Sequence, residues 1–314
     1  METLRRLLKN QSPAAVESFL KNVQELREQC TSFVADASTS KVYKVCDHKH
    51  GCSDDCLAVK INLPGRYDGK EADIQNRITR ACKGTPAEAH FNKLLGILKG
   101  RAIILQYEQT RPQKFQTLAE VIQKANITEE LWKSINFQVV KTIYAAQKVM
   151  PGFAHNDLHT ENILLVENDT GHECKITSPS GKKYAKFNPL LIRIIDFGQV
   201  LATAKNLQTK DGKELHMHVW KNRMMDFVRF SVWAFIDLCA SERKHKHAWH
   251  DDWLDFVLRW VDVRFFIRGD FVDPDQGMMP TKKGGVWLQK RYGPHCFKGI
   301  GNLLDDPYFA GFRV

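Results

Sequence analysis

Two apolar runs, each joined to an acidic motif, set the tightest limit on how this chain can fold. His155-Asn156-Asp157-Leu158-His159-Thr160-Glu161-Asn162 leads straight into Ile163-Leu164-Leu165-Val166, and Leu191-Ile192-Arg193-Ile194-Ile195 leads straight into Asp196-Phe197-Gly198. Short isoleucine, leucine and valine runs of this kind read as buried strands. Asp157, Asn162 and Asp196 then lie at strand ends, on backbone fixed by the core. Two carboxylates and an amide held this way can carry Mg²⁺ and orient a nucleophile against a triphosphate. Phosphoryl transfer asks chiefly for in-line positioning and charge neutralisation.

Further segments extend the pattern towards the N-terminus. Leu57-Ala58-Val59-Lys60 reads as a strand ending on a lysine, Thr39-Ser40-Lys41-Val42-Tyr43-Lys44-Val45 as a strand before it, and Ile103-Ile104-Leu105-Gln106-Tyr107-Glu108 as a strand after it. In this order the segments resemble the protein-kinase-like superfamily over roughly residues 33 to 240, and among its members the divergent or viral-type Ser/Thr protein kinases. The resemblance implies an α+β, bilobal protein-kinase-like fold. Its parts would be an N-terminal helical extension (1–30), a β-rich N-lobe (31–108) and a mainly helical C-lobe (109–314).

The same resemblance assigns roles. Asp157 would orient or deprotonate the attacking hydroxyl, Lys60 would pair with the ATP phosphates, and Asn162 and Asp196 would hold Mg²⁺, with Mn²⁺ as a substitute. Lys60 needs a carboxylate to hold its ammonium. Glu71, at the start of the next helix, is the first choice, and Glu88 is the runner-up, with a capping-box role as its other reading. Phe197 would pack under the N-lobe helix. ATP would contact Ala37, Ser40, Val42, Lys60, Tyr107 and Glu108. The implied activity is ATP- and Mg²⁺-dependent transfer to a hydroxyl on Ser or Thr of a protein substrate.

Several positions depart from the family pattern. Aligned on Val42, the glycines of the G-x-G-x-x-G-x-V loop fall on Ala35, Ala37 and Ser40. These small residues allow fewer backbone conformations than glycine, so weaker or differently shaped ATP contacts are expected. A pseudokinase that acts as a binding scaffold is therefore one alternative. Asn156 replaces the arginine that pairs with a phosphorylated activation loop, which predicts activity independent of phosphorylation in residues 199–219. No A-P-E motif follows. His159 stands where protein kinases carry lysine, and Asp-Leu-His resembles the aminoglycoside and choline phosphotransferases. A small-molecule acceptor is the other alternative.

The net charge of +10 favours acidic or polyanionic partners, and ATP is one. A nucleic-acid partner is compatible with that charge, but no nucleic-acid motif accompanies it. No apolar run reaches membrane-span length, and residues 1–10 lack the apolar stretch of a secretory signal. The expectation is an intracellular protein, cytoplasmic or nuclear, without a membrane partner and with its eight cysteines reduced. Cys46, His48, His50, Cys52 and Cys56 are zinc-ligand types, but their spacing fits no familiar finger, and a ligand-free polar hairpin is the competing reading.

Local signals place the helices. Ser12-Pro13 starts one within residues 1–30, to pack on the N-lobe. Another runs over 70–83 and stops at Gly84. A short helix covers 118–124, and Thr128 caps a long one to about Val149, whose apolar positions recur every four residues. Residues 167–189 read as an elongated hairpin and 201–215 as a polar stretch. Trp220–Leu238 and Trp253–Ile267 read as helices, with the tryptophans packed in the core. Asp226 has two readings, an anchor for the catalytic-loop backbone or a solvated helix carboxylate. His245, His247 and His250 read as a solvated loop.

Overall fold

The computed structural model describes residues 8–9, 12–25, 31–37, 40–46, 56–63, 70–98, 101–107, 116–124, 127–151, 153–168, 171–198, 224–242, 249–260, 272–273, 279–280 and 300–314. The fold is mixed α+β. The chain forms two compact units, one of Met1–Thr79 with Asn92–Phe115, the other of Arg80–Phe91 with Gln116–Val314. Among the described residues no helix is long and apolar enough to cross a membrane.

The first unit is built on a five-stranded antiparallel sheet in the order β1-β2-β3-β5-β4. Its strands are β1 (Thr31–Ala37), β2 (Ser40–Cys46), β3 (Cys56–Asn62), β4 (Leu94–Leu98) and β5 (Ala102–Gln106). Side chains alternate between faces. Tyr43, Leu57, Val59 and Ile61 point to one face and form a core with Val16, Leu20 and Val23 of helix α1 (Pro13–Gln24). The expected start is present, since the Ser12 hydroxyl accepts from Ala15 N–H at 3.3 Å. Burying the α1 stripe makes residues 13–24 part of this unit.

Cys46 and Cys56 stand opposite each other in the β2–β3 register and form a disulfide. That differs from the expectation of reduced cysteines. It also removes both sulfurs from the zinc reading, because a disulfide sulfur has no thiolate to offer. The other candidates, His48, His50 and Cys52, lie outside the described residues.

Helix α2 (Lys70–Cys82) ends before Gly84, whose φ of +73° is the left-handed stop expected there. In the second unit, α4 (Glu129–Val149) is the central helix, and most of its residues after the first turn are buried. The Thr128 hydroxyl caps it by accepting from Leu131 N–H at 3.2 Å. Trp132 packs between Trp249 and Trp253 at ring distances of 5.1 and 5.3 Å. The same unit holds α3 (Leu118–Lys124), α5 (Met225–Glu242), which packs on α3, and α6 (His250–Trp260).

Helix α6 begins at His250, ahead of the expected Trp253. His250 is buried and stacks on Trp253 at 6.0 Å, so it is a core residue and not part of a solvated loop. The expected hairpin is present as β8 (Glu173–Thr177) and β9 (Lys183–Phe187). A three-stranded sheet, β10-β7-β6, joins β6 (Gln116–Thr117), β7 (Ile163–Glu167) and β10 (Leu190–Ile194).

Candidate active site

The two apolar runs pair with each other. In the β7–β10 register Ile163 opposes Ile194, and Ile195 N–H donates to the Asn162 carbonyl at 3.0 Å. That register brings the end of the first motif beside the start of the second. The β7 run and the β10 residues Leu191, Ile192 and Ile194 are buried inside the second unit, which accounts for the apolar character of both runs, and Arg193 of β10 is only partly buried.

Asp226 fixes the loop from the opposite side. Its Oδ2 accepts from His155 N–H and its Oδ1 from Asn156 N–H, both at 2.8 Å, from the first turn of α5. The carboxyl is buried, which raises its pKa against the lowering effect of the two N–H bonds. Of its two readings, the backbone anchor is the one observed. His155 Nε2 lies 3.0 Å from the Ile195 carbonyl and ties the two motifs together a second time. Burial holds that imidazole down at about 4, so it is neutral here. The loop turns at Asn156, which adopts φ +61°, a left-handed conformation that asparagine tolerates better than most residues.

Asp157 follows this turn with its carboxylate partly exposed. Burial raises its pKa, against the opposing pull of His159 and Arg229. Asn162 Nδ2 donates to the Asp157 carbonyl at 2.9 Å and lies 2.9 Å from His159 Nε2. With the amide nitrogen engaged by the loop, Oδ1 is the atom left to meet a cation. Asp196 also takes a left-handed conformation, at φ +59°, and its Oδ1 accepts from Gly198 N–H at 3.2 Å. Two hard-oxygen donors on adjoining strand ends fit a Mg²⁺ site. Phe197 is buried against Phe91 and His155 at 5.9 and 5.5 Å, so both of these partners belong to the second unit.

The first unit carries the predicted cation. Lys60 lies on the face of β3 opposite the α1 core, in register with Val42. Its Nζ is 2.7 Å from Glu71 Oε1, with side chains only 8% and 15% exposed. Glu88 instead accepts from Gly84 N–H at 2.7 Å and closes the turn after α2. Ser40 is buried at the start of β2, and Ala37 is its register partner on β1. Burial raises the Tyr107 pKa, and Lys44 Nζ sits 4.8 Å from its ring centre. Glu108 and residues 199–219 lie outside the described residues.

Two contributors escaped the sequence reading. Arg229 is buried one helical turn from Asp226, near enough to both Asp226 and Asp157 to be felt by them. Their i,i+3 spacing was the available signal. Asp237, two further turns along α5, is hydrogen-bonded to the Thr160 hydroxyl.

No family model matches the chain, and no curated protein matches it. Among solved structures, the crystal structure of the BubR1 kinase domain aligns over 87% of this chain and 83% of that one, at 11% identity and a TM-score of 0.42. Similarity at that level does not bear on activity.

Proposed function

We propose that this protein transfers the terminal phosphoryl group of ATP to a hydroxyl, with Ser or Thr of a protein as the acceptor. The observation that supports this most is the Lys60–Glu71 pair. An ammonium largely removed from water is costly unless a carboxylate holds it, and one so held is a preorganised point charge for phosphate oxygens. Asp157 accepts the proton of the incoming hydroxyl, and its raised pKa makes it a better base than an ordinary surface carboxylate. Asp226 positions that base through the two loop N–H groups. Asn162 and Asp196 would hold Mg²⁺, which when bound neutralises phosphate charge.

His159 supports a second reading, a small hydroxylated acceptor. It bonds within the loop and leaves no lysine at that position to meet a peptide. Incubation with labelled ATP, one arm given a mixed protein fraction and the other a mixture of small hydroxylated metabolites, separates the two. Label on Ser or Thr supports the first reading. Label only on small molecules overturns it. ATP as donor puts the reaction inside a cell, in cytoplasm or nucleus, where a disulfide such as Cys46–Cys56 meets reductants.

A further inference from the structure

Phosphoryl transfer leaves unused a second cluster in the same unit. His90 comes from the turn after α2, Lys141 from the middle of α4, His172 from just before β8, and Cys174 from β8 itself. His90, Lys141 and Cys174 are fully buried. Ligand atoms of His90, His172 and Cys174 all lie within 4.8 Å of one another.

The ring chemistry is specified. His90 Nδ1 is 3.1 Å from the Ile192 carbonyl, which can only accept, so Nδ1 carries the proton and Nε2 presents its lone pair. His172 Nε2 is buried without a hydrogen-bond partner. Its backbone is pinned by Asn168, whose Oδ1 accepts from His172 N–H and whose Nδ2 donates to the His172 carbonyl, both at 2.8 Å. A buried ring nitrogen left without a partner costs free energy unless something arrives to use it.

We propose that His90, His172 and Cys174 form a structural site for a thiophilic divalent ion of the zinc type. Zn²⁺ binds imidazole nitrogen at about 2.0 Å and thiolate sulfur at about 2.3 Å in a tetrahedron, which sets the two donor atoms roughly 3.5 Å apart. His90 Nε2 and Cys174 Sγ stand 3.6 Å apart. The Ile192 carbonyl is the kind of acceptor that fixes the tautomer of a metal-binding imidazole.

Lys141 Nζ lies 2.7 Å from His90 Nε2 and holds the lone pair the ion would take. On binding, the Cys174 thiol proton and one Lys141 ammonium proton leave to solvent. The ammonium with a neutral thiol carries one positive charge. The doubly charged ion with a thiolate and a neutral amine also carries one. The cluster therefore gains no net charge, which matters because the Arg193 cation acts on both His90 and His172. The freed amine can take the fourth corner of the tetrahedron.

Titration of the chelator-stripped full chain with Co²⁺ tests this, in a background carrying His48→Ala, His50→Ala and Cys52→Ser. The expected result is thiolate-to-cobalt absorption with tetrahedral d–d bands, saturating at one ion per chain and reversed by Zn²⁺. Cys174→Ser abolishes the thiolate band, and His172→Ala weakens binding by at least about tenfold. His172 is only partly buried, so its variant keeps the test open if Cys174→Ser does not fold. Absence of the thiolate band in the starting protein, or binding unchanged in His172→Ala, overturns the proposal.

Discussion

At the scale of single residues, the buried carboxyl of Asp226 makes the clearest demand. Replacing it with alanine strands two buried N–H groups, at His155 and Asn156, each of which costs about 1–3 kcal/mol when left without an acceptor. Asp226→Ala should therefore lose roughly 2–5 kcal/mol in urea unfolding. A loss below about 0.5 kcal/mol would contradict the pinning role. Glu71→Gln leaves the nearly buried Lys60 ammonium without its counter-charge, so kcat/KM should fall roughly tenfold or more and the unfolding midpoint should drop with it. Asp157 gives a pH signature. Its base form is lost as pH falls through a pKa that burial has raised, so the acid limb of kcat/KM should lie above the ordinary carboxylate range of about 4. Arg229 pulls that pKa down, so Arg229→Met should move the limb to still higher pH, and a limb that moves the other way would contradict the assignment. The motif residues themselves were legible because strand, turn and carboxylate are contiguous. Asp226 was legible only as one of two readings, since its bond to the loop spans some seventy residues of sequence.

Among the elements, those with local signals were readable. Thr128 announces α4 through its cap, and the turn-rich stretch between β7 and β10 announces the β8–β9 hairpin. What had no local signal was missed. Whether Cys46 meets Cys56 depends on strand register, which composition does not carry. His250 sits next to a basic, histidine-rich run and reads as polar, yet the tryptophans on α6 draw it into the core. The cluster of His90, Lys141 and Cys174 joins three separate segments, and no spacing rule connects them. The disulfide carries its own prediction. It closes a loop with a sequence separation of 10, for which chain-entropy reasoning gives about 3 kcal/mol at most. Treatment with a reductant should lower the unfolding midpoint, and Cys46→Ala with Cys56→Ala should remove that sensitivity. A midpoint indifferent to reductant in the parent protein would show that the bond contributes nothing to stability.

For the whole molecule, the residues proposed for phosphoryl transfer fall in both compact units. One supplies a glutamate-held lysine, the other a pinned loop with two carboxylates and an amide. The excess of positive charge, +10 in all, is consistent with a polyanionic donor but selects none. The missing glycines at Ala35, Ala37 and Ser40 leave binding without transfer as the rival outcome, the scaffold reading. One measurement decides between them most directly: the rate of labelled phosphoryl transfer from ATP in the presence of Mg²⁺, for the parent protein and for Asp157→Ala and Asp196→Ala, with ATP binding followed in parallel. The account predicts transfer by the parent and a loss of at least about a thousandfold in each variant, with Asp157→Ala still binding ATP. ATP bound by the parent with no transfer to any acceptor, or transfer that survives both substitutions, would contradict it.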